Sequence, residues 1–187
     1  MEKIQELYER FYVFIGSSFG ENERCRLFQF IWSQYHQKIA FYISNLIPYS
    51  HPGFDDIFQE VMIKIYKNLN TFNPLHSFKA WIYRIARNHC IDFLKSKKEN
   101  FFKPNEIEIE KIVDLRTPEK IAVEREMVEK IDNWLAQLNE TDREISYLRF
   151  FENMTYRDIG RTVNINPNTV KSRLQLIKKN LNSDLNS

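Results

Sequence analysis

The sequence predicts an all-α fold: two small helical domains joined by an acidic flexible linker, the second containing a helix-turn-helix. Three observations predict it. Apolar residues recur at three- and four-residue spacing through most of the chain, which is the helical period. Only four Gly and six Pro are spread over 187 residues, too few for the hairpin turns of a β fold, a phosphate-cradling loop or a nucleophile elbow. Charge is also segregated, with the overall net +2 concealing a basic stretch, an acidic stretch and a second basic stretch in that order.

The elements follow in chain order. A first helix is expected from Ile4 to Ile15 and a longer one from about Glu23 to Ile47, which Pro48 ends. A third runs from Asp55 to Leu69, bounded by Pro52-Gly53 and Asn73-Pro74, and a fourth from Ser77 to Lys97. Residues 99–132 then carry ten acids against six bases and include Pro104, the alternation Glu106-Ile107-Glu108-Ile109-Glu110 and Thr117-Pro118. This reads as a flexible acidic connector that becomes helical after Pro118. Four further helices are expected at 119–138, 141–151, 155–163 and 167–181, with Thr141 and Thr155 as N-caps and Glu144 completing a capping box with Thr141. The domain reading is an N-terminal helical extension over 1–26, a helical domain over 27–98, the linker over 99–119 and the helix-turn-helix domain over 120–187.

Composition excludes several classes. The longest apolar runs, such as Ile39 to Ile43, fall far short of the roughly 20 residues that cross a bilayer, and no charged-then-apolar leader opens the chain. Membrane insertion and export are therefore not expected. Cys25 and Cys90 stand too far apart in sequence for a metal-ligand pair and do not make a disulfide framework, so the expected setting is a reducing cytoplasm. Asp55-Asp56 and Glu106/Glu108/Glu110 are the only acid clusters, and no His, Lys or Gly-rich loop is placed to complete a site around them. The reading is a protein without catalytic residues, metal ligands, cofactor or small-molecule substrate.

Three segments carry chemistry. On Asp55 to Leu69, advancing 100° per residue puts Ile57, Phe58, Val61, Met62, Ile65, Tyr66 and Leu69 on a core half. Gln59, Glu60, Lys64 and Lys67 take the other half, with Ile63 among them. That residue is either an ordinary exposed Ile or one that a partner covers. On Ser77 to Lys97 the expected buried stripe is Phe78, Ile82, Ile85, Ala86, His89 and Phe93. Opposite lie Ala80, Arg84, Arg87, Asn88, Ile91 and Lys95, with Trp81 and Tyr83 at the margins. Between Lys79 and Lys98 the balance is six bases to one acid. A basic face edged by rings suits single-stranded nucleic acid, since phosphates need cations and unstacked bases offer π-faces. The competing reading is a solvated charged face whose rings anchor the core. His89 lies on the apolar stripe and reads as a core residue, since no second His or Cys stands four residues away.

The third segment, Thr155 to Leu181, carries the helix-turn-helix. Tyr156, Ile159 and Val163 point inward on its first helix, and Val170, Leu174, Ile177 and Leu181 form one stripe on its second. Asn164 takes the tight-turn position that favours a left-handed backbone, Asn166 is an N-cap and Pro167 the first helical residue. The face opposite the stripe bears Asn168, Ser172, Gln175 and Lys179, flanked by Lys171, Arg173 and Lys178. Amides and a hydroxyl in the middle with cations at the sides is the layout of a major-groove reader.

With these residues in view, the sequence resembles the bacterial extracytoplasmic-function (ECF) sigma factors, two-domain subunits that bring core RNA polymerase to promoters. The resemblance rests on DDIFQEVMIKIYKNLNTFNP, SFKAWIYRIARNHCIDFLK and LNETDREISYLRFFENMTYRDIGRTVNINPNTVKSRL in that order, and covers residues 27–98 (region 2) and 120–181 (region 4). It implies that Asp55, Asp56, Phe58, Gln59, Glu60, Val61 and Lys64 dock on the polymerase β′ clamp, and it turns Ile63 into an interface residue. It implies that Asn70, Thr71, Phe72 and Asn73, with Lys79, Trp81, Arg84, Arg87 and Asn88, recognise and melt the minus-10 element by capturing an unstacked base. Asn168, Thr169, Lys171, Ser172, Arg173 and Gln175 would read the minus-35 duplex in its major groove. The acidic linker resembles the family's connector through polymerase channels lined for nucleic acid. The implied partners are core RNA polymerase, through its β′ clamp and β subunits, promoter DNA in duplex and single-stranded form, and an anti-sigma factor.

The chain departs from the family pattern in three places. Asn164 stands where Gly is common, Gly160 stands where Ala is common, and the residues before about Leu27 lie outside the motif. A stand-alone transcriptional regulator, with a helical sensory or dimerisation domain ahead of the helix-turn-helix, explains the last third of the chain equally well. It does not explain the basic helix that follows Asn-Leu-Asn-Thr-Phe-Asn-Pro.

Overall fold

The structure is a computed structural model that describes residues 21–97 and 137–185. The expected helix over 4–15, the acidic linker and all but the end of the expected helix over 119–138 lie outside the described residues. Within them the chain is helical, with no strand, and it divides into two compact units, Met1–Asn100 and Phe101–Ser187.

The first unit contains α1 (Glu21–Ser44), α2 (Phe54–Asn68), a 3-10 turn (Leu69–Thr71) and α3 (Phe78–Lys97). α1 ends three residues before the expected Ile47. Ser44 Oγ and Asn45 Nδ2 both donate to the Phe41 carbonyl at 2.7 Å, which closes the helix ahead of Pro48. Gly53 is the N-cap of α2, its N–H donating to His51 Nδ1, and Asp55 and Asp56 lie in the first turn, where the helix dipole favours carboxylates. After the 3-10 turn, Asn73 Oδ1 accepts from the Leu75 N–H at 2.9 Å, an Asx turn that Pro74 stiffens. Ser77 then caps α3, accepting from the Ala80 N–H.

The three helices bury Ile31, Ile39, Tyr42, Ile43, Ile57, Val61, Ile65, Ile82 and Ala86 against one another. Several expectations for α3 need correction. Tyr83, placed at the margin of the basic face, is fully buried and meets Tyr42 edge-on at 4.9 Å. Ala80, placed on that face, is buried too. The reason is that α3 packs against both α1 and α2, so its buried arc is wider than the single stripe a helical wheel assigns. Ile85 and Phe93, expected in the stripe, are only half-buried.

The second unit contains α4 (Glu140–Phe150), α5 (Tyr156–Val163) and α6 (Pro167–Leu185) around Ile145, Leu148, Met154, Ile159, Val163, Val170, Leu174 and Ile177. The expected Thr141 cap is corrected. Asn139 is the N-cap, its Oδ1 accepting from the Asp142 N–H at 3.0 Å while its Nδ2 donates to Asp142 Oδ2 at 2.7 Å. Glu144 therefore closes no capping box, and it is buried. Thr155 caps α5 as expected. Tyr156 does not point inward: it is 36% exposed, and the Arg149 guanidinium sits 5.2 Å from its ring centroid.

Candidate nucleic-acid interface and docking face

Between α5 and α6 the turn is set by three local devices. Asn164 adopts φ 60°, ψ 46°, the left-handed conformation, and its N–H donates to the Gly160 carbonyl. The Ile165 N–H reaches the same carbonyl at 3.0 Å. Asn166 Oδ1 then accepts from the Asn168 N–H at 2.8 Å, and Pro167 opens α6. The approach is so close that a Cβ on Gly160 would stand 2.6 Å from the Ile165 carbonyl oxygen. Gly at this position is thus dictated by packing, although it costs helix propensity.

With Val170, Leu174 and Ile177 buried, α6 turns Asn168, Thr169, Lys171, Ser172, Gln175, Lys178 and Lys179 to solvent. All the expected groove residues but one lie free of the core. The exception is Arg173, which is half-buried, with Nη1 2.8 Å from Asp142 Oδ1. Its charge serves the domain as well as any ligand. Ser172 donates its hydroxyl back to the Thr169 carbonyl at 3.1 Å and so keeps acceptor capacity outward. Leu176, which the sequence reading did not single out, is 59% exposed on the same helix.

In the first unit the expected melting residues separate into two groups. Asn70, Thr71, Asn73, Arg84 and Asn88 are exposed, and Lys79 and Arg87 are half-buried. Phe72 and Trp81 are instead buried, 9% and 8% exposed. Trp81 stacks on Phe78 with centroids 5.6 Å apart and touches Phe72 at 5.4 Å. These rings hold the loop onto α3, and the aromatic edge expected along the basic face is absent from it. The loop between them lifts Leu75 to 76% exposure, a large apolar side chain that the sequence reading passed over.

The outward row of α2 comprises Asp55, Asp56, Gln59, Glu60, Ile63 and Lys64, all exposed, with Ile63 at 43%. Phe58 is half-buried against Trp32, at 6.1 Å. Val61 is fully buried: it supports the row from beneath and does not belong to its surface. Behind the row, His89 of α3 reaches between two of its members. Lys64 Nζ lies 2.7 Å from His89 Nδ1, and Glu60 Oε2 lies 3.0 Å from Nε2 in a close but bent contact. Burial and then the Lys64 charge hold the His89 pKa below its ordinary value, against the opposing pull of Glu60 and Asp92. His89 is buried as expected, but it is engaged by two charged side chains from another helix.

Among the described residues no group of His, Cys, Asp and Glu is arranged to hold a metal ion, and no helix is long and apolar enough to cross a membrane. Cys25 is exposed and Cys90 buried, and neither is in a disulfide.

Comparison with known proteins gives these faces a context. Residues 31–99 match the family described as sigma-70 region 2, and residues 129–181 match sigma-70 region 4. The ECF RNA polymerase sigma factor SigW of Bacillus subtilis is 28% identical over 139 residues, covering 70% of this chain and 74% of its own. RNA polymerase sigma factor SigZ of the same organism is 28% identical over 145 residues, covering 78% and 79%. The fold is shared with the sigma factor RpoE, solved in complex with the anti-sigma factor NepR from Bartonella quintana. That match has a TM-score of 0.60 at 17% identity, over 85% of this chain and 96% of that one. The two sigma-70 regions stand in the order, and on the helices, that the outward row of α2, the basic helix and the helix-turn-helix occupy, and the chain belongs to the ECF sigma factor family.

Proposed function

We propose that this sigma factor works through three faces. The outward row of α2, with Gln59, Glu60, Ile63 and Lys64, docks on the β′ clamp of core RNA polymerase. The loop from Asn70 to Ser77, together with Lys79, Arg84, Arg87 and Asn88 on α3, recognises and opens the minus-10 element. Asn168, Thr169, Lys171, Ser172, Arg173 and Gln175 on α6 read the minus-35 duplex. The carrying observation is the left-handed Asn164 turn, after which α6 exposes Asn168, Thr169, Lys171, Ser172 and Gln175. Phosphate contacts by its lysines supply sequence-independent affinity, and its amides and hydroxyls are the groups that meet base edges.

On this reading the protein is a cytoplasmic, non-enzymatic subunit whose affinity for free DNA is weak until polymerase holds both regions on the promoter. An anti-sigma factor would act by covering the same faces. Supporting the docking assignment, Ile63 is the one apolar residue in an otherwise polar row, and a partner seated on that row would remove its side chain from water.

The test is co-elution of the purified chain with bacterial core polymerase, repeated with Gln59→Glu and Ile63→Glu. Stable binding lost in both variants is expected. A folded chain that fails to bind polymerase yet dimerises and binds duplex DNA would overturn the reading in favour of a stand-alone regulator.

A further inference from the structure

The α2 row that docks polymerase under the preceding reading contains two long, flexible, oppositely charged side chains, Glu60 and Lys64, one helical turn apart. At this i,i+4 spacing they could pair directly. Instead the ring of His89 from α3 stands between them. Nδ1 faces Lys64 Nζ at 2.7 Å and Nε2 faces Glu60 Oε2 at 3.0 Å. An ammonium group can only donate, so Nδ1 must accept, and the ring proton must therefore sit on Nε2, the nitrogen on the Glu60 side, where the carboxylate lies 3.0 Å away in a bent contact that is not a hydrogen bond. This neutral tautomer satisfies the Lys64 hydrogen bond and places the ring proton, rather than a lone pair, beside the Glu60 carboxylate. A protonated ring would set an N–H against the ammonium, and the opposite tautomer would do the same.

We propose that His89 is a positioning residue of the polymerase-docking face: its neutral ring fixes Glu60 and Lys64 on the outward row of α2 and ties that row to α3. The inference rests on the docking reading above and goes beyond it, because His89 itself is only 7% exposed and reaches no partner. Its charged surroundings are Glu60 and Lys64 from α2 and Asp92 from its own helix. Side chains as long as Glu and Lys lose rotamer freedom when an interface immobilises them, and a bridge that restricts them beforehand reduces that loss. The same bridge couples the docking helix directly to the helix assigned to promoter opening.

The experiment measures affinity of the full chain for core polymerase in four proteins: unmodified, His89→Phe, the pair Glu60→Gln with Lys64→Met, and all three changes together. His89→Phe keeps a ring of similar size without its nitrogens. It is expected to weaken binding roughly tenfold in the unmodified background and by less than twofold when Glu60 and Lys64 are already changed. Unaltered affinity in folded His89→Phe, or an undiminished tenfold loss in the triple variant, would overturn the proposal. A merely structural histidine would give that undiminished loss. Nitrogen-15 NMR of the imidazole in the unmodified chain provides a reading that needs no variant. A proton on Nε2 and none on Nδ1 at neutral pH is expected, and the Nδ1–H tautomer would refute the bridge. If the unmodified chain fails to bind polymerase, the docking reading falls and takes the positioning role with it, whereas the tautomer still reports on the bridge alone.

Discussion

Arg173 on α6 is bound to Asp142 on α4, with Nη1 2.8 Å from Oδ1, and the same carboxylate accepts from Asn139 at the cap of α4. A residue assigned to DNA thus also closes a three-residue chain holding the outer helices of its domain together. Lys171, two positions earlier, is exposed, so the two cations of this face should respond differently to removal.

Lys171→Ala is expected to leave the unfolding midpoint unchanged and to lower the salt slope of promoter binding by holoenzyme by about one counterion. Arg173→Ala should reduce binding as well and also destabilise the second unit, by about 0.5–1 kcal/mol for a part-exposed pair. Thermal unfolding alongside a salt titration separates them. Equal midpoints would show that the Asp142 contact contributes nothing to stability.

Gly160 offers a test in which two effects have opposite signs. Gly160→Ala should gain about 1 kcal/mol of helix propensity, but the new Cβ would meet the Ile165 carbonyl oxygen at 2.6 Å, and backbone there cannot withdraw without disturbing the Asn164 turn. Overpacking of this kind costs about 1–3 kcal/mol. The expected result is net destabilisation by about 1 kcal/mol in urea unfolding, with weaker minus-35 binding. A stabilised variant would mean that the turn tolerates displacement.

The helix-turn-helix was legible in the sequence because each of its signals acts over a few residues. Thr155, Asn164, Asn166 and Pro167 each satisfy or free a backbone group close by, and Val170, Leu174 and Ile177 repeat at the helical period. Asn139 and Thr141 illustrate the limit, since both types cap helices and the choice depends on where the preceding chain turns. Helix α3 illustrates another. A wheel assigns one buried stripe, but contact with two helices buried Ala80, Trp81 and Tyr83 as well. The pairings of His89 with Lys64 and of Arg173 with Asp142 join residues distant in sequence, and no local pattern announces them.

His89 makes the stability of the first unit pH-dependent. Its pKa in the folded chain is lowered, by burial first and Lys64 second, so below the ordinary value near 6.5 the unfolded chain binds more protons than the folded one. The stabilisation is complete above that value and is lost as pH falls through it toward the lowered folded value. Thermal unfolding of the full chain at pH 7.5 and at stepwise lower pH should show this loss, and His89→Phe should remove the His89 part of it. A His89→Phe profile identical to the unmodified one would mean that the loss arises elsewhere.

The family resemblance implies that both Trp81 and Arg84 take part in opening the minus-10 element, but only Arg84 tests that role cleanly. Trp81 is 8% exposed and packs on Phe72 and Phe78, so Trp81→Ala removes a large buried ring and is expected to cost the first unit about 3 kcal/mol of stability. Loss of transcription in that variant would follow from unfolding whatever the ring does to DNA. Arg84 is exposed on the same helix. Arg84→Ala should leave the unfolding midpoint within about 0.5 kcal/mol of the original, preserve polymerase docking and minus-35 binding, and reduce permanganate reactivity of the promoter thymines. Undiminished reactivity in folded, polymerase-bound Arg84→Ala would take that side chain out of strand opening. The role of the face would then rest on Lys79, Arg87 and Asn88, which are open to the same assay one at a time.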